Sequence, residues 1–111
     1  MQDFNIKMQD CIYQAKNCFY RIKALQDNRF ELPDAVDFFC FRVGIRGSDF
    51  SISISFPPDM MFGKYETALF KNDDLIYKEE WGYHDIKRFD SFYDLLEELN
   101  NIHDFIQKKQ I

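Results

Sequence analysis

The run "FSISISF", Phe50 to Phe56, alternates without a fault. Phe50, Ile52, Ile54 and Phe56 fall on one side of an extended chain, and Ser51, Ser53 and Ser55 fall on the other. Period two over seven residues predicts a β-strand with one face in a core and one at water, as in an antiparallel sheet. Pro57 and Pro58 end the strand, because proline has no ladder N–H to donate. Upstream, "VDFFCFRVGI" (Val36 to Ile45) reads as a second strand. It places Phe39, Phe41, Val43 and Ile45 on one face and Phe38, Cys40 and Arg42 on the other. "RGSD" (Arg46 to Asp49) is the turn between the two. Downstream, "KYETALF" (Lys64 to Phe70) and "LIYKEEW" (Leu75 to Trp81) flank "KNDD", which predicts a hairpin with a four-residue loop.

Helical patterns bracket these strands. Phe4, Met8, Cys11, Ala15, Cys18, Ile22 and Leu25 recur at intervals of four and three, widened by Ile12 and Phe19. Neither Pro nor Gly occurs before Pro33. A helix from Asp3 to Gln26 would be about 35 Å long and would overhang a strand of roughly 20 Å. Asn28 is the residue suited to a left-handed cap, and Pro33 pushes its predecessor out of helical geometry. At the other end, Ser91 and Asp94 resemble a capping box ahead of an apolar stripe of Phe92, Leu95, Leu96, Leu99, Ile102 and Ile106. The expected architecture is α+β in two layers, ordered α-β-β-β-β-α. An antiparallel four-stranded meander is flanked by a long N-terminal helix and a C-terminal helix, one domain over residues 1–111.

Composition narrows the function classes. The chain has 111 residues, enough for one core, and 46% hydrophobic content excludes a disordered chain. Thirteen Phe and few Val match AT-rich codon usage, which points to a low-GC bacterium, a phage or another mobile element. Asp3, Lys7 and Asp10 lie where a secretory signal would need apolar residues, and no apolar run is long enough to span a membrane. Cys11, Cys18 and Cys40 are odd in number and sit among apolar positions, so they read as buried thiols of a cytoplasmic protein.

Catalytic signals are weak. Two histidines, His84 and His103, and scattered cysteines do not supply a metal-ligand spacing, so neither metal nor cofactor is expected. The adjacent pairs Glu79-Glu80 and Glu97-Glu98 are not carboxylates held across a pocket. No Gly-rich phosphate loop precedes a helix. The chain therefore reads as a non-enzyme. Lys16, Arg21 and Lys23 near Tyr13 and Tyr20 form only a weak basic stripe, and direct nucleic-acid binding is not expected.

Charge layout carries the functional expectation. The net charge is -5, and residues 73 to 98 hold nine acids against three bases. Within them "EEWGYHD" sets Trp81, Tyr83 and His84 among Glu79, Glu80 and Asp85, and the final helix adds Asp94, Glu97 and Glu98 on what reads as its solvent face. Acids around aromatic anchors suit a basic protein surface. In architecture, small size, acidity and codon bias the chain is similar to small inhibitory proteins of phages and mobile elements, and to bacterial immunity proteins. That likeness is one of type and transfers no residues. The expected partner is a larger, nucleic-acid-handling protein with a basic surface, and the expected location is the cytoplasm, that of the host if the chain is phage-encoded. The alternatives are a homodimer through the helix-1 seam of Phe4, Met8, Cys11, Ala15, Cys18, Ile22 and Leu25, and a small-ligand-binding domain.

Overall fold

An uninterrupted helix former opens the chain. The computed structural model describes residues 2–56, 65–72, 74–75 and 86–110. Helix α1 spans Gln2–Ala24, 23 residues, and is about 35 Å long. Arg21 and Lys23 lie in its last turn, where cations suit the negative end of the helix dipole. The left-handed residue after it is Gln26, with φ 51°, and not Asn28. The exit then tightens through an Asx turn, in which Arg29 N–H donates to Asp27 Oδ1 at 3.0 Å.

Six strands follow: β1 (Phe30–Glu31), β2 (Cys40–Ile45), β3 (Phe50–Ser55), β4 (Tyr65–Lys71), β5 (Asp74–Leu75) and β6 (Ile86–Phe89). Helix α2 (Phe92–Gln110) closes the chain. The sheet is antiparallel, ordered β1-β2-β3-β4, with β5 and β6 both on the far edge of β4. The four-stranded meander between two helices is thus present, built from β2, β3, β4 and β6, with β1 and β5 as short additions.

Register follows the alternation of "FSISISF". Val43, Ile52 and Leu69 stand abreast, as do Phe41, Ile54 and Thr67, and all six are buried. Cys40, Ser55 and Glu66 form one row of the opposite face, and Arg42, Ser53 and Ala68 form the next. Its three serines are half-buried rather than open to solvent. Both helices cover the apolar face. Ala15, Cys18, Phe19 and Ile22 come from α1, and Phe92, Leu95, Leu99, Ile102 and Ile106 come from α2. Phe19 meets Phe41 edge-on at 5.5 Å, and the Arg21 guanidinium lies 3.8 Å over the Phe92 ring, tying α1 to the start of α2. Each buried Ile, Leu or Phe contributes about 1.5–3 kcal/mol in transfer terms, so this face dominates stability.

Three local expectations change. Strand β2 does not begin at Val36. Asp37 and Cys40 exchange both backbone hydrogen bonds, at 2.9 and 3.0 Å, so Phe38 and Phe39 form a two-residue turn ahead of the strand. Phe38 has φ 57°, a left-handed backbone that costs a residue with a Cβ about 1–2 kcal/mol. The hairpin after β4 is tighter than a four-residue loop. Lys71 pairs with Asp74, which leaves two residues between strands, and Asn72 takes φ 56° as such a turn requires. Residues 86–89, between the expected last strand and the final helix, form an edge strand, and of the strand expected over Leu75–Trp81 only Leu75 lies among the described residues. Leu75 and Ile86 stand opposite Phe70 and Ala68, two positions apart on one edge of β4. Leu75 and Ile86 therefore lie about 7 Å apart.

Candidate functional site

The acidic side of α2 starts from its cap. Ser91 Oγ accepts from Tyr93 N–H at 3.1 Å, and the Ser91 carbonyl accepts from Leu95 N–H at 3.1 Å. That fixes the helical phase. Asp94, Glu97, Asn101 and Asp104, spaced three, four and three, then lie along one exposed stripe. Asp94 also stands in the first turn, where a carboxylate suits the helix dipole. Beside the stripe is an open cavity of about 330 Å³ lined by Phe89, Asp94, Glu97, Glu98 and Asn101.

Glu98 departs from its expected place. It is not on the solvent face and is 3% exposed. Glu98 follows Leu95 by three residues and precedes Ile102 by four, so it shares the flank of the apolar stripe rather than the opposite side. The cavity thus combines exposed carboxylates with a buried one and a half-buried aromatic ring. A lysine or arginine fits that combination, with its aliphatic stem against Phe89 and its head among the carboxylates.

The rest of the expected partner surface, Glu79, Glu80, Trp81, Tyr83, His84 and Asp85, lies outside the described residues. The helix-1 seam is not presented as a continuous stripe. Ala15, Cys18 and Ile22 are buried under their own sheet, Met8 and Cys11 are half-buried, and Leu25 is exposed. The Phe4 side chain is outside the description. On the other face of α1, Tyr13, Lys16, Tyr20 and Lys23 are all exposed.

Cys18 is buried, and desolvation pushes its thiol up to about 12, which the nearby Arg21 charge only partly offsets. Burial also raises Cys11 and Cys40, with Asp10 and Asp37 adding to the effect. Thiols so placed are poor nucleophiles. His103 Nδ1 lies 3.3 Å from Asp104 Oδ1, and its ring packs edge-on to Phe30 at 5.9 Å. Among the described residues, no three His, Cys, Asp or Glu side chains converge as metal ligands. No described helix is long and apolar enough to cross a membrane.

Two features escaped sequence reading. A second cavity, about 370 Å³, opens where α1 ends, lined by Ile22, Lys23, Phe30, Leu32 and Arg46 among others. Arg46 crosses its rim, donating to the Asn28 carbonyl at 2.8 Å and pairing with Glu31 at 3.4 Å. All its lining lies within residues 22–32 except Arg46, which tertiary packing brings to the rim, so no local pattern announces it. The other is the Phe38 turn. Asp37 is a turn former, but "FFCF" outweighs it as a strand signal. Comparison with protein-family models, with curated proteins and with solved structures returned no match.

Proposed function

We propose that this chain is a non-enzymatic protein-interaction module. It acts as a small acidic inhibitor or immunity-type protein, and its acidic segment 79 to 98 docks on a basic surface of a larger, nucleic-acid-handling protein. The observation that carries this reading is the exposed row of Asp94 and Glu97 beside a cavity that also holds Glu98 and Phe89. Such a concavity receives a basic side chain, and the wider negative field steers the encounter. Glu79, Glu80, Trp81 and Tyr83 extend the same acidic and aromatic composition along the chain, with Trp81 as a second anchor.

The test is a pull-down from lysate followed by kinetics on the captured protein. The double variant Asp94→Lys, Glu97→Lys and the single variant Trp81→Ala run beside wild type. The association rate of wild type is expected to fall roughly tenfold or more as added salt shortens the Debye length from about 10 Å to 3 Å. The charge-reversed variant is expected to start slow and to lose that salt dependence. A captured partner whose association ignores both ionic strength and the charge reversal would remove this reading.

A further inference from the structure

Phe38 alone among the described residues is both a large, well-exposed hydrophobic and a non-glycine residue at positive φ. It is 70% exposed with φ 57°. Each feature is unfavourable in an isolated chain. An exposed ring adds apolar surface without burial, and a left-handed backbone favours Gly or Asn over a residue with a bulky Cβ substituent. The turn is nonetheless firmly held. Asp37 and Cys40 exchange two backbone hydrogen bonds, Cys40 Sγ donates to the Asp37 carbonyl at 3.4 Å, and Phe56 N–H donates to the Phe39 carbonyl at 2.9 Å. Phe39 and Val36 pack against the core, whereas Phe38 is exposed directly after the exposed acid Asp37, with Asp34 exposed four residues before it. Strain held at a surface aromatic is characteristic of a recognition site.

Topology places this tip near the acidic start of α2. Cys40, Ser55, Glu66 and Arg88 share one row at the end of the sheet. Phe89 follows Arg88 and leads through Asp90 and Ser91 into α2. The Phe38 turn and the start of α2 thus lie toward the same end of the sheet, where Cys40 and Arg88 stand three strand spacings or about 15 Å apart. A partner footprint of ordinary size, about 800 Å² per side, spans that distance.

We propose that Phe38 is the aromatic anchor of the docking surface, inserted into an apolar pocket of the partner protein whose rim carries lysine or arginine. The charge complement is the exposed Asp37 that adjoins Phe38 in the chain and the exposed Asp34 in the same segment, so the inference rests on the basic partner proposed above and adds where that partner is gripped. Burial on binding recovers the apolar surface left exposed in the free chain. The strain is then kept because it aims the ring away from its own core.

The test places a photo-crosslinking p-benzoylphenylalanine at position 38, and separately at position 97, in the full chain inside cells that express it. The captured protein is then titrated with wild type and Phe38→Asn. Both probes are expected to mark one protein, with the position-38 cross-link on a peptide bearing Lys or Arg among apolar residues. Phe38→Asn is expected to bind about thirtyfold weaker or worse while melting about 4 °C higher, because Asn accepts the left-handed backbone. Capture at 97 but not at 38, or an affinity within threefold of wild type, would overturn the anchor and leave the acidic-face reading standing. A position-38 cross-link to a second copy of this chain, or to a peptide without basic residues, would overturn it as well. A lowered melting temperature for Phe38→Asn would make Phe38 a structural residue and have the same effect. Silence from both probes would sink the anchor and the acidic-face reading together.

Discussion

Replacing Ile52 by Ala probes the register on which the whole sheet depends. Ile52 lies in the middle of β3 with Val43 on one side and Leu69 on the other, and all three are fully buried. The change removes three carbons, about 2.4 kcal/mol in transfer terms, and leaves a hole whose walls are held by the two neighbouring strands. Little collapse is available, so a loss of about 3.5 kcal/mol is expected, within the range for such truncations. A chain of this length has a total stability of roughly 6–17 kcal/mol. The melting temperature should then fall by about 15 °C. Ser53→Ala, one residue along and on the opposite face, is expected to change stability by no more than about 0.5–1 kcal/mol. Thermal and urea unfolding followed by circular dichroism give both values, and the urea slope should stay that of wild type. If Ser53→Ala destabilises as much as Ile52→Ala, the two faces are exchanged and the register is off by one.

Other consequences follow from single sites. At pH 8 a thiol reagent should modify Cys11 and Cys40 before Cys18, which should react only on the timescale of unfolding; rapid labelling of all three would contradict the burial of Cys18. Because the Cys18 value is raised in the folded chain, the stability it contributes is complete below about pH 8.5 and is lost as pH climbs towards 12. A Cys18→Ala variant should show a flatter alkaline profile. The Arg29 hydrogen bonds hold the Asp27 carboxyl below its usual range, so its contribution is present above about pH 4 and lost as pH falls further. Because the pair is partly exposed, Asp27→Asn should cost at most about 1 kcal/mol at pH 7, and the difference should close in acid. Gly47, at φ 80°, should lose about 1 kcal/mol on replacement by Ala. The same change at Gly44 should fall within about 0.5 kcal/mol of wild type, since a Cβ there meets Glu31 at an ordinary 3.6 Å.

The sequence by itself determined what local periodicity encodes. Alternation in "FSISISF", the three-four spacing from Met8 to Ile22, and Ser91 ahead of an apolar stripe dictate strand, long helix and capped helix, because each depends only on residues a few positions apart. The α+β order and the two-layer core follow from them. Tertiary structure decided what depends on distant partners. Residues 86–89 are a strand because β4 has a free edge for them, although nothing in "IKRF" alternates in hydrophobicity. Glu98 is buried because of where the flank of α2 meets its neighbours, a distinction its pairing with Glu97 does not reveal. Within "DFF" the chain turns away from the sheet because Asp37 closes on Cys40, so Phe38 is left in the open while Phe39 enters the core. Composition marks a chain as acidic and aromatic, but only packing chooses which acids line a concavity and which ring is left exposed.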